Sequence, residues 1–101
     1  MKILALGRRQ AESPIALEEA QQHLLAEIRG VWELYAQGIC RELYSRAGQP
    51  GSAVLLLECD SAEAAQAALA TLPLVRLGVI GFDLIPLAPF TNLSRLFAAA
   101  S

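Results

Sequence analysis

Glu27 is the residue of this chain best placed to move a proton, because it lies at the margin of an apolar helical stripe. A carboxylate there loses part of its hydration, which disfavours the charged form and raises its pKa toward the range useful for a general base. The alternative is a solvated flank residue paired with His23, one turn earlier on the same helix. His23 is the only histidine, so no second imidazole exists to share a metal, and with Glu19 and Glu27 each one turn away it reads as a surface partner. Arg46 and Tyr44 stand two apart on one predicted strand and so share a face, together with Cys40 and Glu42. That polar row either lines a pocket, with Arg46 clamping a carboxylate, or guards a sheet edge with charge. Arg76 follows Leu72-Pro73-Leu74 in a loop. Glu27 is therefore the candidate catalytic base, and Arg46, Tyr44 and Arg76 are the candidate substrate-binding residues. Asp83 sits mid-strand among apolar neighbours and requires a partner, expected to be an arginine across an interface.

Other chemistries find no support. Cys40 and Cys59 fit no zinc spacing and read as reduced, buried thiols. They face each other only if their strands pair symmetrically about Gln49-Pro50, and no third ligand accompanies them. No glycine-rich phosphate loop, Ser-His-Asp set or cysteine-histidine nucleophile pair is present, so no metal and no cofactor is expected. A net charge of -2 gives no electrostatic reason to bind nucleic acid or an anionic membrane, and Arg8-Arg9 alone is too small a basic patch. No run reaches the ~18–20 apolar residues of a spanning helix. The apolar run Ile3 to Leu6 is too short for the core of a signal peptide, so the expected compartment is the cytoplasm.

The elements that must position these residues follow from periodicity. Lys2 to Gly7 reads as a strand apolar on both faces. Ser13 as cap and Pro14 at the first helical position open a helix that runs to Gln37, with Gly38 closing it. Its buried stripe is Leu17, Ala20, Leu24, Ile28, Val31 and Tyr35, widened by Leu25, Trp32 and Leu34. Ile39 to Ala47 is an edge strand, Gly48 to Gly51 a turn, and Ala53 to Cys59 a strand buried on both sides. Asp60 with Glu63 caps an alanine-rich helix from Ser61 to Thr71, and Val79 to Leu87 is the last strand. In the tail from Phe90 to Ser101, Leu93, Leu96, Phe97 and Ala100 recur at helical spacing behind Thr91 or Asn92, as a short helix or an oligomer contact.

The order β-α-β-β-α-β predicts one α+β domain over residues 1–101, with the ferredoxin-like fold of a four-stranded antiparallel sheet and two helices on one face. Of the residues, 54% are hydrophobic and the mean hydropathy is +0.41, more apolar surface than one core of this length hides. Two helices cover one face of the sheet, and the other is apolar too. A second copy packing sheet to sheet covers it, so a homodimer or larger homo-oligomer is expected.

Gln37-Gly38 closing the first helix, Leu43 in the next strand, Gly48 in the turn, Leu72-Pro73-Leu74 and Pro86-Leu87-Ala88 form a pattern over roughly residues 20 to 89. It resembles muconolactone isomerase and its relatives, small dimeric α/β-barrel proteins. The resemblance implies a cofactor-free isomerase that moves a proton on an unsaturated lactone carboxylate, and it sets Glu27 in the place of a family glutamate. The chain departs from the family at Ile39-Cys40-Arg41-Glu42, where a basic and aromatic stretch is usual, and at Pro89-Phe90, where the family end is basic and carries histidine. Two functions are thus expected to compete: an oligomeric domain that binds a small organic acid without catalysis, and an isomerase with Glu27 as base.

Overall fold

Alternation builds the sheet. In β1 (Lys2–Arg9) the residues Ile3, Ala5 and Gly7 are buried under the helices while Leu4 and Leu6 occupy the opposite face. The coordinates, a computed structural model, describe residues 1–49 and 52–98. β3 (Ala53–Glu58) repeats the pattern, with Leu55 and Leu57 buried and Val54 and Leu56 opposite. With β2 (Cys40–Ser45) and β4 (Ile80–Pro86) they make one antiparallel sheet in the order β2-β3-β1-β4. The predicted ferredoxin-like α+β fold is therefore the observed one.

The predicted first helix is two. α1 (Leu17–Gln22) and α2 (Leu24–Ala36) meet at His23, whose N–H reaches back three residues to Ala20 in a tightened turn. Ser13 does not cap, because Pro14 lies against Gly78 and the Ser13 hydroxyl bonds the backbone of Ile15 instead. Ala20 packs with Leu74 and Val79, whereas Leu34 joins the main core of Ile3, Leu55, Leu57, Leu69 and Leu72. The line facing the sheet runs through Ala20, Glu27, Val31 and Leu34, so the predicted stripe holds at Ala20, Val31 and Leu34 and differs in the burial of Glu27. Leu24, Ile28 and Tyr35 are 48%, 55% and 44% exposed, and Trp32 stacks on Tyr35 at the surface with ring centroids 5.5 Å apart.

α3 (Ala62–Leu69) is capped by Ser61, whose Oγ accepts the Ala64 N–H at 3.0 Å, in place of the predicted Asp60 cap. A further short helix, α4 (Pro73–Arg76), occupies what was predicted as loop. The hairpin between β2 and β3 sets Tyr44 opposite Val54 and Cys40 opposite Leu57, with a bulge between Cys40 and Glu42. Cys40 and Cys59 are therefore not cross-strand neighbours, and both are free thiols. Part of the predicted turn, Pro50 and Gly51, lies outside the described residues.

The face of the sheet away from the helices carries Leu4, Leu6, Val54, Leu56 and Ile85. At its margin Arg8 Nε donates to Asp83 at 3.1 Å, so Asp83 finds an arginine within its own chain, where one across an interface was expected. Beyond β4 a 3₁₀ segment (Thr91–Leu96) leads away from the body, making the longest dimension 65 Å against 27 and 21 Å. Phe90, Leu93, Leu96 and Phe97 are exposed there, whereas Ala100 lies outside the described residues. Among the described residues no helix is long and apolar enough to cross a membrane.

Candidate functional site

Between the helices and the sheet lies a cavity of about 650 Å³, within the size range of small-molecule sites. Leu24, Ile28 and Val31 wall it on the helix side, and Leu43, Ala53 and Phe82 on the sheet side. Leu74 and Val79 close it toward α4. The bulge in β2 explains Leu43: it flips the alternation, so that Cys40, Leu43 and Ser45 face the helices while Glu42 and Tyr44 face away.

Glu27 lines this cavity and is 7% exposed, the one charged residue in the buried set. Pro73 opens α4, and the next N–H, that of Leu74, lacks a partner within its own helix. Glu27 Oε1 accepts it at 2.9 Å. Oε2 has no hydrogen-bond partner among the described residues and is not sealed from solvent. One oxygen is thus committed to the fold, and the other is available to the cavity. Burial pushes the carboxyl above its ordinary range, against the opposing pull of the Leu74 N–H and then of the Arg76 charge. The alternative of a solvated Glu27 paired with His23 is excluded by this geometry.

Of the other predicted residues the structure brings only Arg76 near Glu27, and none of them to the cavity wall. Tyr44 projects from the open face, where its hydroxyl donates to Glu42 Oε1 at 2.7 Å and that bond pushes the phenol pKa up. Arg46 lies past the end of β2 in the turn, its N–H bonded to the Ser52 carbonyl, and it is exposed and does not line the cavity. Arg76, at the end of α4, is also exposed; its charge acts on Glu27 but its side chain is no part of the wall. The expected row of Cys40, Glu42, Tyr44 and Arg46 on one face fails because the bulge splits it.

Residues not singled out from the sequence supply the remaining polarity: Arg9, Gln21, Ser45 and Ser52 line the cavity. For Arg9 the signal was available, since the parity of Ile3, Ala5 and Gly7 puts it on the helix side of β1. For Ser45 it was not, because the bulge reverses the parity of β2. Among the described residues no group of three or more His, Cys, Asp or Glu side chains is arranged to hold a metal ion.

Compared by sequence, the chain matches no family model and no curated protein. Compared by structure, it is similar to 5-chloro-2-hydroxyhydroquinone dehydrochlorinase from Burkholderia phenoliruptrix AC1100, solved in complex with 2,5-dihydroxybenzoquinone, with a TM-score of 0.65 and 13% identity over 87% of this chain and 94% of that one. It is similar also to muconolactone isomerase, with a TM-score of 0.66 and 22% identity over 89% of this chain and 93% of that one. The four-stranded sheet, its strand order and the helices on one face are thus those of the muconolactone isomerase fold.

Proposed function

We propose that this chain is a self-associating protein that binds a small organic acid between sheet and helices, with Glu27 as the group that takes and returns a proton. The observation that carries the reading is the division of labour at Glu27, one oxygen fixed by the Leu74 N–H and the other open to an apolar cavity. A buried carboxylate costs stability unless something is gained by it. Acid-base chemistry on a carbon next to a carbonyl needs such a group and no cofactor. The reaction is that named for the structural neighbour: Glu27 removes a proton from an unsaturated lactone carboxylate, the C–H electron pair moves into the conjugated system, and the proton returns at another carbon. Atoms and charge balance without a further reactant.

Self-association follows from the open face. Leu4, Leu6, Val54, Leu56 and Ile85 leave a sheet surface that a second copy buries, at ~25 cal/mol per Å² of apolar area removed from water. The tail with Phe90, Leu93, Leu96 and Phe97 is a second contact surface of the same assembly, since its apolar side chains are exposed among the described residues.

The test is deuterium incorporation into muconolactone in heavy water, followed by NMR. The wild type is expected to exchange the proton, and Glu27→Gln to do so about 10²–10⁴-fold more slowly. Exchange that is equal in the two proteins, or absent from the wild type, overturns the catalytic part of the reading.

A further inference from the structure

We propose that Arg9 is the anion-binding residue of the cavity, seating the carboxylate of a monoacid whose hydrocarbon body fills the apolar middle and whose reactive end meets Glu27. This rests on the cavity reading given above and assigns the counter-charge that Arg46 does not provide.

Arg9 and Glu27 are the only charged residues among those that line the cavity. They come from opposite walls, Arg9 from the end of β1 and Glu27 from the middle of α2. Neighbouring Arg8 has the opposite parity and is taken up by Asp83 on the open face, so that carboxylate does not neutralise Arg9. Among the described residues Arg9 has no ion pair and no side-chain hydrogen bond. A guanidinium offers a planar fork of donors that matches a carboxylate.

The sheet supplies more donors at the same end. Ser45 pairs in register with Ala53 at the close of β2, and Ser52 directly precedes β3. Both line the cavity with Arg9. Gly7, two residues before Arg9, allows the strands to close up there: a Cβ on it would stand 3.0 Å from both the Ala53 carbonyl oxygen and the Phe82 ring. Ser45, Ser52 and Arg9 thus lie at one end of the sheet and of the cavity lining, whose other walls include Leu24, Ile28, Val31, Leu43 and Phe82. A second negative charge on the ligand would fall either on that apolar wall or beside the Glu27 carboxylate, and each is unfavourable. The chemistry selects a monoanion with a ring or branched hydrocarbon body over a dianion or a sugar.

Trp32 is the only tryptophan and lines the cavity, so its fluorescence reports occupancy. The probes are cyclohexylacetate and its uncharged amide, which do not absorb where tryptophan does. The wild type is expected to bind the acid about ten- to a hundredfold more tightly than the amide, the range for a hydrogen-bonded charge pair. In Arg9→Gln the preference is expected to vanish while amide affinity and the circular dichroism spectrum stay as in the wild type. Arg9→Lys should keep part of the preference, and Arg46→Gln all of it. If both probes bind the wild type equally, or if the preference survives in Arg9→Gln, the role of Arg9 is wrong and the cavity reading stands. If neither probe alters Trp32 fluorescence saturably, the cavity reading itself fails and this assignment with it.

Discussion

Replacing Glu27 separates what the carboxyl does for the fold from what its charge does against it. In Glu27→Gln the amide oxygen still accepts the Leu74 N–H, made at 2.9 Å in the wild type, and the buried charge is gone. In Glu27→Ala the N–H at the start of α4 is left without an acceptor, which costs about 1–3 kcal/mol. The alanine variant should therefore melt below the glutamine variant, by about 4–8 °C per kcal/mol for a chain of this size. The pH dependence has a definite sign. Burial holds the folded-state pKa of Glu27 above its ordinary value, so between the two the folded state binds more protons and stability falls as pH rises. The wild type should gain on Glu27→Gln as pH drops from the alkaline side toward the ordinary carboxylate range. Glu58 behaves oppositely, because its bond to the N-terminal ammonium lowers its pKa and its contribution is lost on acidification. That term is common to both proteins and cancels in the difference. The assay is urea unfolding of the three proteins at equal protein concentration across this range, since the proposed self-association would make stability concentration-dependent. Equal stability of the alanine and glutamine variants, or a gap between wild type and glutamine that widens against the wild type on acidification, would refute the argument.

Placing a charge on the open sheet face, as in Leu56→Glu, should shift the protein to monomer in sedimentation while leaving the far-ultraviolet circular dichroism unchanged, because Leu56 faces away from the helices. A chain ending at Ala88 should keep its fold and form smaller assemblies by light scattering, since the large side chains beyond it are exposed. Gly38 ends α2 at a φ of +79° with no atom closer than Arg41 Nη2 at 4.0 Å to an added Cβ. Gly38→Ala should thus cost about 1–2 kcal/mol in urea unfolding through backbone strain alone.

The parts of the fold that could be read from the chain were those with an undisturbed period. Ile3, Ala5, Leu55 and Leu57 alternate with Leu4, Leu6, Val54 and Leu56 without interruption, and from them the two-sided sheet follows. Errors arose where the period is broken by something with no local signature. The bulge after Cys40 is one inserted residue, yet it moved Tyr44 to the open face and Ser45 into the cavity. The misplacement in α2 has another origin: Ala20, Glu27, Val31 and Leu34 keep helical spacing across His23, and Glu27 stands in that line while Leu24 and Ile28, half-exposed, wall the cavity. Arg46 lies off the predicted strand and outside the cavity lining because β2 ends one residue before it. Arg9 had the right parity in an unbroken strand and was passed over as half of a weak basic pair.

Glu27 occupies a position that packing alone would assign to an apolar residue. Its neighbours in the buried line, Ala20, Val31 and Leu34, are all apolar, and a leucine or methionine in its place would avoid the desolvation of a carboxyl. Capping Leu74 does not require a charge either, since an amide oxygen accepts that N–H equally well. What a glutamate adds over a glutamine at this point is a titratable proton, on a side chain that lines the cavity and whose pKa burial brings up. The same step fixes the expectation for a cavity probe with no acid-base requirement: Glu27→Gln should bind a neutral ligand such as cyclohexylacetamide as tightly as the wild type, by Trp32 fluorescence, while losing the exchange reaction. A glutamine variant that lost both would show the carboxylate to be part of the binding wall, and its role as a proton carrier would then have no separate support.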